Sequence, residues 1–244
     1  MNKKRLIICV LAIATLIGIA AGGYVYKDAI QSRIARTAAV VSGQDIKPLL
    51  DSEGRYIRQI VAQDNSTSRT IMWQSDSSEA DTVIEYRVDG SEYIQSIGAT
   101  DKAFTDDGST TYIHEGTLTG LTPSTKYEYR IGYGTDRRSD WYSLETAGSS
   151  VYDVLIYPDS QSGDYSGWEQ LVKDSAHRNP RTALYISMGD LVDNGEQDYQ
   201  WRTWLNSIRP LSANVPLAPT LGNHEMYTLD WKMREPRAYL NYFD

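Results

Sequence analysis

Cysteine is all but absent. The one cysteine, Cys9, sits in an apolar run near the N-terminus, so the rest of the chain can form no disulfide, no zinc-thiolate site and no cysteine nucleophile. Positive charge is in deficit: 24 Lys and Arg stand against 32 Asp and Glu, a net charge of -8. Nucleic-acid backbones are bound by clustered Lys and Arg that this sequence does not show, so no nucleic-acid partner is expected. The same acidity repels anionic substrates, and a phosphate site here would need a metal or local cations to reverse the field. Histidine is scarce too, with only His114, His177 and His224. Apolar residues are not scarce. At 41% of 244 residues they suffice for one large or two small domains and exclude general disorder.

The N-terminus carries Lys3, Lys4 and Arg5 and then an uncharged apolar run from Leu6 to Tyr26, long enough to span a bilayer as a helix. Residues 1–27 read as a signal peptide cut near Ala20 to Gly23, or as an uncleaved membrane anchor with its basic end inside. The length of the run favours the anchor. In both readings the chain beyond Lys27 is extracytoplasmic, and residues 28–54 form a linker.

From Tyr56 the pattern changes to short alternating runs, "YIRQIVAQ", "RTIMWQS", "TVIEYRV", "YIHEGTL", "KYEYRIGYG" and "WYSLETA". Strands at this spacing, with Asp89-Gly90 as a turn, predict a β-sandwich over residues 55–148 with Trp73 in its core. Leu121, Pro123 and Tyr127 have the spacing of a tyrosine corner, in which a Tyr hydroxyl caps the preceding loop. This stretch resembles a fibronectin type III domain. Over residues 151–244 the runs "VYDVLIYPD", "TALYISMGD" and "VPLAPTLGN" alternate with two helical patterns. The first helix is expected to open on a Ser166/Glu169 capping box with Trp168, Leu171 and Val172 on one face, and the second to carry Trp201, Trp204, Leu205 and Ile208. Such alternation predicts a parallel sheet covered on both faces. The fold class expected is therefore multidomain, β followed by α/β.

Each of the three apolar runs ends in side chains with ligand chemistry. The first ends in Asp159 and Gln161, the second in Asp190, Asp193 and Asn194, the third in Asn223, His224 and Glu225. Carboxyl ends of parallel strands open into one crevice, and hard oxygens with an amide and an imidazole suit divalent ions. Any one group alone is better explained by the turn preference of Gly, Asp and Asn. Three in order, each after an apolar run, are not.

"GD…N" followed by "GNHE" resembles the calcineurin-like metallophosphoesterase family, and with the sandwich in front the chain resembles purple acid phosphatases and their bacterial relatives over about residues 55 to 244. The resemblance implies Asp159 and Gln161 at one metal, Asp190 as a bridge, Asn223 at a second metal and His224 as acid or charge stabiliser. It implies two divalent ions, Fe, Mn or Zn, about 3.5 to 4 Å apart, acting on a small phosphate ester, monoesters before diesters, through an activated hydroxide. Three departures stand out. Gln161 replaces the His of the usual Asp-x-His, Asp193 occupies the place of the purple-enzyme Tyr, and the His ligands that follow GNHE in the family have no counterpart before Asp244. Tyr165 has the wrong offset for that Tyr and reads as surface or helix-entry packing. His114 reads as a partly exposed strand residue and His177 as a solvated helix-end residue.

These departures lead to the expectation of a C-terminally truncated phosphoesterase, with the aromatics of "YLNYFD" seeking burial and an apolar edge and face open to a missing half, a separate chain or self-association. Two functional readings follow. One is an exported metallophosphatase with an incomplete second metal site. The other is a non-catalytic surface protein with a degenerate half-domain.

Overall fold

Period-2 alternation builds two sheets. In this computed structural model, residues 54–243 are described apart from 80, 135–136 and 149–151. The candidate anchor 1–27 and nearly all of the linker 28–54 lie outside the described residues. Among the described residues, no helix is long and apolar enough to cross a membrane.

The strands expected from the sequence are β1 (Arg55–Ile60), β2 (Arg69–Ser75), β3 (Thr82–Val88), β6 (Ser109–Leu118), β7 (Lys126–Tyr133) and β9 (Tyr142–Glu145). Three more, β4 (Gln95–Gly98), β5 (Thr100–Asp106) and the short β8 (Arg137–Arg138), complete the sandwich. In β5 only Phe104 is buried, so its sequence has no apolar alternation to betray it. Trp73 is fully buried, its indole N–H donating to Tyr133 Oη at 2.8 Å. The Tyr127 hydroxyl accepts the Thr122 amide at 2.9 Å, the expected corner.

β10 (Asp153–Tyr157), β11 (Thr182–Ser187) and β12 (Leu217–Pro219) pair in parallel in that order. They are linked by α1 (Ser166–Arg178), then by α2 (Asp198–Ser207) with the single turn α3 (Arg209–Ser212). One edge of the three parallel strands is covered from within the chain: β1 lies parallel to β12, with Ile60 opposite Leu217, giving one seven-stranded sheet in the order β10-β11-β12-β1-β2-β6-β5, in which β10 is still an edge strand. The expectation of helices on both faces is corrected. Each parallel strand is added on the same side of the last, so right-handed crossovers put both helical connections on one face. Tyr157, Tyr185 and Leu217 pack in a core with Trp168, Val172, Trp201 and Trp204, while Ile156 and Met188 remain exposed.

Helix starts also differ from expectation. No side chain of Ser166 caps α1; Asp164 does so, accepting the Ser166 amide at 2.9 Å. Glu169 is thereby free to pair with Lys173 one turn on. Leu171 is exposed, leaving Trp168 and Val172 as the buried face. Tyr165 is buried at the helix entry, not on the surface.

His114 corrects the sequence reading most sharply, because it is wholly buried, stacked on Trp73 with 5.1 Å between ring centres. Its Nε2 lies 2.8 Å from Ser75 Oγ and its Nδ1 3.0 Å from Asp101 Oδ1. Ser, His and Asp thus follow one another, yet the Ser75 hydroxyl donates to the Ser77 carbonyl at 2.6 Å and Ser75 is wholly buried. The group holds β2, β5 and β6 together and presents nothing to a substrate. His177 is exposed in the last turn of α1 as expected.

The closing helix α4 (Arg237–Phe243) buries Tyr242 and Phe243. Tyr242 meets Trp201 and Phe104 edge-on at 5.5 and 5.6 Å, and Phe243 meets Trp204 at 5.9 Å. Burial of each such ring is worth about 1.5–3 kcal/mol, which a seven-residue helix needs, since isolated helices this short do not persist. The last carbonyls of α4 have no partner within the helix. Arg58 of β1 supplies one: its Nε and Nη2 donate to the Tyr242 carbonyl at 2.9 and 2.8 Å, and Nη1 donates to the Tyr56 carbonyl. Burial pushes this guanidinium down to about 10. Arg58→Met should therefore cost about 2–4 kcal/mol, because buried carbonyls lose their donors; thermal unfolding checks this, and a loss under about 0.5 kcal/mol would show that α4 is held by ring packing alone.

Candidate metal centre

Two glycines let the loops after β11 and β12 touch. Gly189 and Asp190 both lie in the left-handed region, with φ of 90° and 45°, a conformation that Gly takes freely and Asp tolerates better than most residues. A Cβ on Gly222 would meet Asp190 Oδ1 at 2.2 Å and one on Gly189 would meet the Gly222 amide at 2.8 Å. These glycines serve close backbone approach as well as a turn.

Asp190 is where three loops meet. Its carbonyl accepts the Ser160 and Gln161 amides of the loop after β10 at 3.1 and 2.9 Å. Its Oδ1 accepts the His224 amide at 2.9 Å, and its own amide donates to Glu225 Oε2 at 3.0 Å. The three strand ends expected to form one constellation are therefore joined by hydrogen bonds. The strands place Asp159 exposed on the first loop, Asp190 half-buried on the second, and Asn223 exposed on the third.

Gln161 is anchored through its backbone, and its Oε1 is buried without a hydrogen-bond partner. A buried acceptor left unpaired is costly, and a cation would satisfy it. Asn223 Nδ2 reaches the Tyr227 hydroxyl at 3.4 Å, which leaves its Oδ1 as the acceptor end. His224 is oriented by Nδ1, 2.8 Å from the Asp193 carbonyl and 3.5 Å from Asp193 Oδ1. A carbonyl only accepts, so Nδ1 carries the proton and Nε2 the lone pair.

Glu225, grouped with the ligand-type residues on sequence, has a different task. It is wholly buried, and its carboxylate accepts backbone amides from Asp190, Leu191 (2.7 Å), Val192 (3.3 Å) and Gly222 (2.7 Å). Burial pushes its carboxyl up, while these amides favour the ionised form. Asn194 is likewise structural, donating to the Thr228 carbonyl and accepting the Glu196 amide. Sequence reasoning missed Gln200, a buried amide of α2 whose Oε1 accepts the Asp193 and Asn194 amides and the Tyr165 hydroxyl. A neutral amide within a helical pattern carries no signal for such a role.

The donors expected from the sequence, Asp159, Gln161, Asp190 and Asn223, are two carboxylates and two amide oxygens. Among the described residues, no three His, Cys, Asp or Glu gather as a metal site, so any ion here relies on the amides. Hard oxygen donors of this kind, one of them buried and unpaired, fit a divalent cation of the Mn or Mg type.

Comparison with known proteins now places the chain. Residues 56–146 match the purple acid phosphatase N-terminal domain, and residues 139–244 match the calcineurin-like phosphoesterase family. The chain thus carries a purple acid phosphatase N-terminal domain followed by a calcineurin-like phosphoesterase domain. Two curated relatives from Arabidopsis thaliana are similar: "Probable inactive purple acid phosphatase 1" is 27% identical over 136 residues, 47% of this chain and 22% of the relative. "Probable inactive purple acid phosphatase 27" is 28% identical over 142 residues, 49% of this chain and 22% of the relative. Among solved structures, purple acid phosphatase PPD1 from yellow lupin (Lupinus luteus) seeds superposes with a TM-score of 0.62 at 21% identity, over 71% of this chain and 36% of that one; the likeness is one of fold. The chain spans about a fifth of the curated relatives' length and about a third of the lupin chain's.

Glu225→Gln places an NH2 group against amides that need an acceptor. It should lower stability by about 2–4 kcal/mol, read by thermal unfolding; an unchanged midpoint would mean that the two loops are held together by other contacts.

Proposed function

We propose that the chain is an exported, metal-dependent phosphoesterase acting on phosphate monoesters. Asp159, Gln161, Asp190 and Asn223 would hold the divalent ions, and His224 would stand beside the leaving oxygen. The observation that carries this reading is the meeting of three strand-end loops at Asp190, with the unpaired, buried Gln161 Oε1 on the loop bonded to it. Export is inferred from the uncharged run Leu6 to Tyr26 behind a basic start.

Divalent ions bound there supply Lewis acidity for the phosphoryl group and lower the pKa of water. The protein's own groups do the rest. The acidic chain would repel a phosphate, and two of the four donors being neutral amides leaves the bound site more positive than four carboxylates would. The Asp193 carbonyl fixes the His224 tautomer, so Nε2 is the atom that takes up a proton and returns it to the leaving oxygen.

The non-catalytic reading has its own support in the printed names of the two Arabidopsis relatives and in the amide at position 161. Metal analysis of the dialysed full chain separates the two. Retained stoichiometric Mn, Fe or Zn and measurable monoester hydrolysis are expected, both lost in Asp190→Asn, with metal affinity falling at least roughly 10-fold. Asn tolerates the left-handed backbone at 190, so the variant should fold. A wild-type chain that holds no metal and matches the variant would overturn the catalytic reading.

A further inference from the structure

The segment following His224 makes an aromatic surface that the proposed chemistry does not use. The His224 ring meets Tyr227 edge-on at 5.2 Å and Trp231 edge-on at 6.3 Å, and Tyr227 lies 5.6 Å from Trp231. Tyr227 also joins this group to the ligand-type side chain of Asn223 through its hydroxyl. The geometry points to Tyr227 and Trp231 as a platform for a planar aromatic leaving group of the phosphate ester, an inference that rests on the phosphoesterase reading.

Three features argue that Trp231 is placed for a ligand and not for the core. It is 52% exposed, so it contributes little burial. Its φ is 61°, a costly conformation for a bulky side chain that persists only where the surroundings impose it, and such strain gathers at functional sites. The surroundings do impose it. The Trp231 amide donates to the Thr228 carbonyl at 2.9 Å, the Thr228 amide to the Lys232 carbonyl at 2.8 Å, and the Arg234 amide to the Met226 carbonyl at 2.8 Å. A bridge pairs Tyr227 with Met233, and Arg234 is held by Asp106 of β5. The hairpin-like segment is thus a fixed mount with an indole at its tip, beside the imidazole assigned to the leaving oxygen.

An ester whose leaving oxygen sits at His224 brings its organic group beside the two rings that contact this imidazole. A flat aromatic group gains ring-to-ring contact there that a methyl group cannot. Trp231 acts on specificity, since the phosphoryl group itself is held by the residues at the strand ends.

The test is calorimetric binding of inorganic phosphate and of the non-hydrolysable ester analogues methylphosphonate and phenylphosphonate to the Mn-loaded full chain and to Trp231→Ala and Trp231→Phe. Phenylphosphonate is expected to bind roughly 3- to 10-fold more tightly than methylphosphonate. Trp231→Ala should erase that ratio while inorganic phosphate binds as before, and Trp231→Phe should keep most of it. Equal binding of the two phosphonates by the wild type overturns the platform and leaves the phosphoesterase reading standing. An equal loss of all three ligands in Trp231→Ala also overturns it, showing a merely structural role. A wild-type chain that binds no inorganic phosphate with Mn present overturns both.

Discussion

The carboxylate of Glu225 is the constraint on which the centre depends. Four backbone amides from two loops point at one buried anion, which reinforces the Thr220 amide's bond to the Ser187 carbonyl between the ends of β11 and β12. Removing a buried carboxylate from water is expensive, and only a full set of donors offsets it. Once offset, the group is rigid: Gly222 and Gly189 are pressed together, Asp190 is held in the left-handed region, and its side chain receives the His224 amide. The groups proposed for chemistry are therefore fixed by groups that take no part in it.

The second constraint is the pairing of β1 with β12. Through it the sandwich and the parallel strands share one sheet, and the buried polar side chains of β1 work across the junction. Arg58 holds α4, and Gln59 donates to the Ser143 and Ala213 carbonyls at 2.7 and 2.8 Å, the second also accepting the Tyr129 hydroxyl. Buried polar groups so fully bonded give a junction one arrangement instead of several. A platform of this kind suits a site whose donors must be held within a fraction of an ångström.

Much of this was legible in the chain itself. Period-2 alternation marked six sandwich strands, and the spacing of Leu121, Pro123 and Tyr127 marked a corner that the Thr122–Tyr127 bond makes real. Strand-end residues Asp159, Asp190 and Asn223 fell on three loops that meet, because parallel strands end on the same side. What eluded the sequence lay in groups whose partners are distant. His114 in an alternating strand gives no sign of whether it faces water, and its burial follows from Trp73 and Tyr133 closing over it. Asp164, not Ser166, caps α1, a shift of two residues that composition cannot resolve. β5 is a strand because β6 offers it a full edge of amides and carbonyls, with little help from its own side chains.

The sequence by itself determined the order of most strands and helices and which residues have ligand-type side chains, since these depend on local periodicity and on motifs read along the chain. The tertiary structure alone decided the use of each group. Glu225 and Asp190 are both acidic residues at strand ends, yet one is enclosed by amides and the other is left with a carboxylate oxygen to spare. Gln161 is marked out by its place, since its Oε1 is buried with no donor to accept from. The reason is that solvation and hydrogen bonding are properties of a place in space, and residues far apart in the chain create that place.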